Sequence, residues 1–407
     1  MATFNSTGSG GDWELTATWA EAGFPVAGDT VTITSGDIVT LTQNEAFGSC
    51  GVAGTLVVGA HTLAGSGSGN GHIHGAGEIT LTTGTITTSG QDYKPALTTI
   101  TGNATITANQ KLGGEFDIQG SAAPTITARG AQGGLDISAD GNSTVNFIQS
   151  EAGVLENAGT FYNLNISGAH TMTQNNAVTV ANDLTIASGT TVTTSGSNYA
   201  LTVDGDVSVT GTLTGNASAI SMGSLTIPSG GTYSATSGTT TIKSATGTSS
   251  NTYSNSGNAD PKVSFVHNNG KLFFDLSVAN GAGYHNILNS STAGLHTFYD
   301  FEIKCDSEYV AMMKSIEVLG NYTVRGSNAI RYESGNATNS LIVHGLATTS
   351  NSQLGSSDTT GIDTGIPVEK RGWQFLGGLD VTGGTFKLGS NQTVKVSGLR
   401  NLGGTIT

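Results

Sequence analysis

Charge is what this chain has least of. Only 11% of its 407 residues are Asp, Glu, Lys or Arg, against about 25% in ordinary soluble domains. The 15 basic and 29 acidic residues leave a net charge of −14. No Lys/Arg stripe is present to neutralise phosphates, which argues against a nucleic-acid partner. The same shortage argues against docking on an anionic membrane. The net charge is also too small to hold the chain open by self-repulsion, so disorder is not expected. Proline occurs six times and the 60 glycines follow no third-position repeat, which excludes collagen. No run reaches 18 apolar residues, so no transmembrane helix is expected. Two cysteines, Cys50 and Cys305, cannot staple a chain of this length. No Cys-x-x-Cys or zinc-type spacing accompanies them, and both are expected as buried thiols. The opening Met1–Gly8 has neither the basic nor the apolar region of a signal peptide. It suits a protein assembled in the cytoplasm and released by lysis.

Thr, Ser, Val and Ile fill the space, and they favour β structure. The dominant signal is short period-2 alternation broken by Gly, Asn and Ser. Thr30–Thr34 and Ile38–Thr42 read as strand, turn, strand, with Val31 and Ile33 on one side and Thr on the other. Similar units recur at Ile79–Thr82, Thr105–Thr107, Leu164–Ile166 and Leu201–Val203. No window keeps a helical i, i+3, i+4 apolar pattern.

Internal repeats narrow the architecture. Leu184–Gly189 recurs as Leu225–Gly230, 41 residues later. Phe161–Ile166 is echoed by Phe298–Ile303, Val178–Ile186 by Ile316–Val324 and Leu201–Gly205 by Leu341–Gly345, at offsets of 137, 138 and 140. We read a duplicated block. The expected fold is all-β, a β-solenoid, here a right-handed parallel β-helix. Inward Val, Ile, Leu and Phe would stack coil on coil. Gly and Asn would turn the corners, and Thr and Ser would form outer ladders. If 41 residues make two coils, the chain makes roughly 18 to 20 coils, or roughly 90 Å at about 4.8 Å per coil. The alternative is a series of antiparallel β-sandwiches, which needs longer hairpins with two-residue turns.

Two segments break the pattern. Residues 1–29 hold Trp13 and Trp19 and suit an N-terminal cap over the first coil. Residues 30–250 read as solenoid, 251–313 as an aromatic-rich excursion or lobe, and 314–407 as solenoid again.

Asp12-Trp13, Thr18-Trp19, Pro25, Gly28–Ile33 and Gly36–Leu41 resemble the opening of phage tail-fibre-like and bacterial surface β-helix proteins. The later Leu-x-Ile and Leu-x-Val coils followed by Gly are similar to the same class. The resemblance implies an extracellular or virion fibre and carries over no catalytic residue. It implies a structural phage fibre or spike protein that attaches to a host surface and is located on the virion. Two other functions stay open: a polysaccharide-cleaving tailspike enzyme, and a cellular adhesin or surface-layer protein. The chain stops at Gly403–Thr407 in mid-pattern, and an edge of this kind invites pairing. A homotrimer is expected, with other virion proteins and a host surface glycan as further partners.

Candidate chemistry is sparse. His72 and His74 flank Ile73, and strand geometry puts both imidazoles on one face. Three such pairs around a threefold axis would suit iron or nickel; otherwise they are a solvated or stacked pair, and no cofactor is required. Asp300 and Glu302, two apart on an expected strand, are the carboxylates that glycoside hydrolysis would need; otherwise they are solvated acids. Phe273, Phe274, Tyr284, Tyr299 and Tyr309 are the candidate contacts for a glycan or partner, because aromatic rings stack on sugar faces. Their alternative is a small satellite core. No P-loop, His-Glu-x-x-His or Gly-x-Ser-x-Gly motif occurs.

Overall fold

The computed structural model describes the chain except residues 67–71, 91, 139–140, 150, 195–196, 244–250, 256–263, 279–283, 289–294, 333–338, 351–352, 357–369, 388–393 and 407. It is all-β, with 57% strand and 2% helix, and its parallel coils stack into a β-solenoid of about 15 turns. The chain divides into two compact units, Met1–Leu184 and Thr185–Thr407. Among the described residues no helix is long and apolar enough to cross a membrane.

In the first unit the coils are regular. Thr85 lies beside Thr105 and Thr105 beside Thr125, a step of 20 residues per coil. The strands Thr85–Thr87, Thr105–Thr107 and Thr125–Ala128 bury Ile86, Ile106 and Ile126 in one column. Each fully buried Ile contributes roughly 1.5–3 kcal/mol relative to exposure. A second face stacks Ile73–Leu81, Tyr93–Ile100, Lys111–Ile118 and Gly130–Ile137. These strands carry bulges at nearly the same height, where the register shifts between Pro95 and Leu97 and between Leu112 and Gly114. The bulges re-aim the strand at a bend.

Within residues 1–29 Phe4, Trp13 and Trp19 form an aromatic cluster. Phe4 sits beside Val31 in a parallel pair. The rings of Trp13 and Trp19 meet edge to face at 5.3 Å, and Phe4 meets Trp19 at 6.2 Å. The Trp19 indole N–H donates to the Trp13 carbonyl at 2.8 Å.

The second unit begins with coils of similar length, as Thr191 beside Thr212 and Thr212 beside Thr232 show, but its later coils are longer and unequal. Lys271 lies beside Asp300 and Ala347 beside Leu379, steps of 29 and 32 residues. The expectation of 18 to 20 coils therefore overshoots, because it assumed a constant coil. The 41-residue echo is two coils, since Thr210 donates to the Ile186 carbonyl and Ser208 then lies beside Thr226. Val31, Ile33, Leu184, Ile186, Leu225 and Ile227 are all buried, as their alternation requires. The described parts of 251–313 are not a separate lobe. Lys271–Leu276 and Asp300–Cys305 are rungs of a ladder that continues through Tyr322–Arg325, Ala347–Ser350 and Leu379–Val381. A further face stacks His296–Phe298, Ile316–Val318, Leu341–Val343, Trp373–Phe375 and Val394–Val396.

One inward position of that face is a histidine. His296 is 2% exposed, and its Nε2 has no hydrogen-bond partner among the described residues. Burial, with Lys314 nearby, pushes its pKa down to about 4. Between pH 6.5 and 4 the unfolded chain binds a proton there that the folded chain refuses. Stability is then complete above pH 6.5 and falls as the pH drops toward 4, by up to about 3 kcal/mol. Denaturant unfolding at pH 7 and pH 4 measures the loss, and His296→Phe should shrink it. An unchanged pH dependence in that variant would show that other groups dominate.

Candidate functional site

The candidate contact residues all fall in the second unit, on or beside strands of two neighbouring ladders. Alternation along Lys271–Leu276 buries Leu272, Phe274 and Leu276 and turns Lys271, Phe273 and Asp275 outward. Along Asp300–Cys305 it buries Phe301, Ile303 and Cys305 and turns Asp300, Glu302 and Lys304 outward. Register then places Phe273 beside Glu302 and Asp275 beside Lys304, with Thr323 and Arg325 next in line.

The outward charges pair with one another across the coils. Glu302 accepts from Lys271 Nζ at 2.9 Å and from Arg325 Nε at 2.7 Å. The Arg325 guanidinium lies 5.3 Å from the centre of the Phe273 ring. Lys304 lies 3.7 Å from Asp275 and 3.4 Å from Asp306, and donates to Ser277 Oγ at 2.6 Å. Burial works to raise the Glu302 pKa, but the hydrogen bonds and charges of Lys271 and Arg325 outweigh it and hold the carboxyl below its ordinary value. A general acid for glycoside cleavage needs the opposite shift. Asp300 serves the stack instead. Its Oδ1 accepts from the Asn321 backbone N–H at 2.7 Å and so ties one coil to the next. The two acids share a face, as their spacing requires, yet Glu302 is an ion-pair centre and Asp300 a turn acceptor.

The aromatic candidates divide. Phe274 is fully buried and packs inward against Phe301, with ring centroids 5.4 Å apart and planes tilted at 42°, so its assignment as a contact residue is corrected. Being one residue from Phe273, it must face the opposite way. Phe273, Tyr299 and Tyr309 are half-buried and reach the surface. Tyr299 stacks on His267, with centroids 6.0 Å apart and planes at 26°. The pair lines a small hollow together with Ala235, Phe265, Lys271 and Phe298. His267 Nδ1 accepts from the Asn269 backbone N–H at 3.0 Å, which orients the ring. The Tyr284 backbone lies in a strand beside Tyr309, but its side chain is outside the described residues.

His72 and His74 do meet on one face, with ring centroids 4.4 Å apart and planes at 31°. Burial and the neighbouring His72 lower the pKa of His74. Among the described residues no third His, Cys, Asp or Glu joins them in a group that could hold a metal. Cys50 and Cys305 are both free and buried, and burial pushes each thiol up to about 12. Neither can serve as a thiolate nucleophile near neutral pH.

Sequence reasoning missed the cations that hold Glu302, and a second cluster around Glu317. This glutamate is 5% exposed and accepts from Lys370 Nζ through both oxygens, each at 2.9 Å, while His344 Nε2 lies 2.9 Å from Oε1. The signal was opposite charge one coil away, or two in the case of Lys370, and unequal coil lengths hid it. Compared with protein-family models, curated proteins and solved structures, the chain matches none.

Proposed function

We propose that this protein is a structural fibre or spike component of a phage virion. In this reading the stacked coils of the second unit present outward aromatic side chains to a host surface glycan. The observation that carries the reading is the pair of outward rings beside one ladder. Phe273 points out from Lys271–Leu276, and Tyr299 reaches the surface just before the next rung, Asp300–Cys305; Tyr309 reaches the surface on a separate ladder, beside Tyr284. The neighbouring acid is already neutralised by two cations, so the outward rings offer stacking and hydrogen bonding in place of acid chemistry. The virion setting rests on the resemblance of the first 41 residues to phage fibre-like and surface β-helix proteins.

Binding of the full chain to a panel of bacterial surface polysaccharides tests the reading. The variants Tyr299→Ala and Tyr309→Ala should each weaken binding by roughly tenfold, since an aromatic contact contributes about 0.5–1.5 kcal/mol beyond its buried area. Both should keep the far-UV spectrum of the parent. No binding by the parent, or binding by both variants as tight as the parent's, overturns the assignment of these contacts. A homotrimer is the assembly we propose, and sedimentation velocity measures it; a monomer at working concentration counts against that part.

A further inference from the structure

The first unit carries a hydroxyl grid that the glycan-contact reading does not use. Thr85, Thr105 and Thr125 stand side by side in one row, and Thr87, Thr107 and Thr127 in a second. Thr62 and Thr144 extend the first row at its two ends. Between the rows Ile86, Ile106 and Ile126 point inward and are fully buried, so the threonines point outward. Their spacing follows from the strands. Neighbours along a row are about 4.8 Å apart, and partners across the rows are two residues, about 6.6 Å, apart. Both repeats are close to the in-plane repeats of hexagonal ice.

A second observation separates this block from the ladders around it. In the following coils asparagines take over outer positions beyond Thr144, and they bond to one another. Asn165 Nδ2 donates to Asn146 Oδ1 at 2.9 Å, and Asn182 Nδ2 to Asn163 Oδ1 at 2.8 Å. The six central threonine hydroxyls have no such partner among the described residues. Each can donate one hydrogen bond and accept two, as a water molecule can. β-branching restricts each side chain to few rotamers, so the grid is stiff before anything binds.

We propose that this face binds the surface of ice. The face has the chemistry such a surface demands. It carries no charged side chain at the six central positions or at the two that extend the row, matching an uncharged crystal. It presents no aromatic ring there for a sugar. It repeats in two dimensions, whereas a single soluble ligand needs only one site. Hydroxyls hold lattice waters, and the threonine methyls between them keep the trough free of competing polar groups. The inference does not depend on the aromatic contacts of the second unit, and either can fail alone.

The test uses the full chain in ice-recrystallisation and thermal-hysteresis measurements. The parent should hold ice grains small and shape crystals into facets. The double variant Thr105→Tyr/Thr107→Tyr breaks the flat grid with two rings and should lose both effects. Thr80→Tyr, at an outward position on another face, should keep them. Far-UV spectra and melting temperature check that each variant is folded. If the double tyrosine variant does not fold, Thr105→Lys places a single charge at an exposed position and should also abolish the effects. A folded parent without ice activity overturns the inference. So does a loss in Thr80→Tyr equal to that in the double variant. A parent that only self-associates through this face, with sedimentation restored to monomer by Thr105→Lys, overturns it as well.

Discussion

Truncating Trp373 to alanine is expected to destabilise the second unit by about 4 kcal/mol, within the range for removal of a buried large aromatic. The ring is completely buried. It lies between Leu341 and Val394 in the ladder and packs on Phe386 at 5.7 Å and on Phe375 at 6.4 Å. Its indole N–H donates to the Asn339 carbonyl at 3.2 Å. The variant therefore opens a cavity and removes the donor of a buried carbonyl. Trp373→Phe should cost less, because the ring volume is largely kept. In stacked-coil proteins each repeat contacts mainly its neighbours, so the damage should be local. Hydrogen exchange should accelerate at Ile316–Val318 and Leu341–Val343, while Thr105–Thr107 in the first unit keeps its protection. A loss below about 1 kcal/mol would mean that the site collapses around the smaller side chain.

Gly114→Val is expected to be of similar size and to act through the backbone. Gly114 has φ +90, and a Cβ there would lie 2.0 Å from the Pro95 carbonyl oxygen of the preceding coil. Two costs combine: a left-handed conformation of about 1–2 kcal/mol, and a contact that must push two coils apart, typically about 1–3 kcal/mol. Gly134→Ala is the control. It also has positive φ, at +87, but nothing lies within 4 Å of its added Cβ. It should lose only the conformational part. Comparing the two midpoints in urea separates close approach from φ strain. Equal midpoints would show that coil contact at Gly114 is of no consequence.

The parallel stack was legible because its signal is local and repeated. Val31 with Ile33, and Leu225 with Ile227, alternate with outward threonines, and alternation needs only the pleat of the strand. The 41-residue echo gave two coils for the same reason. The coil count was less legible. The larger steps, such as Ala347 to Leu379, include insertions that leave no trace in strand periodicity. For the contact site, sequence contrast found the aromatic region but not the sidedness of each ring. Phe273 and Phe274 are adjacent and similar, and only the register of their strand sends one out and the other in.

By itself, the sequence determined the fold class and the inward columns, since each follows from residue type and a two-residue period. It also paired His72 with His74 and Asp300 with Glu302 on shared faces. Tertiary structure alone decided which charges meet. Lys271, Glu302 and Arg325 lie on three different coils, and nothing in a 31- or 23-residue separation marks them as neighbours. The same holds for the two threonine rows, whose alignment depends on three consecutive coils of equal length. The physical reason is common to both. Within a strand, the direction of a side chain is set by the pleat. Between coils, contact is set by the length of every intervening turn, and that length emerges only when the chain has closed on itself.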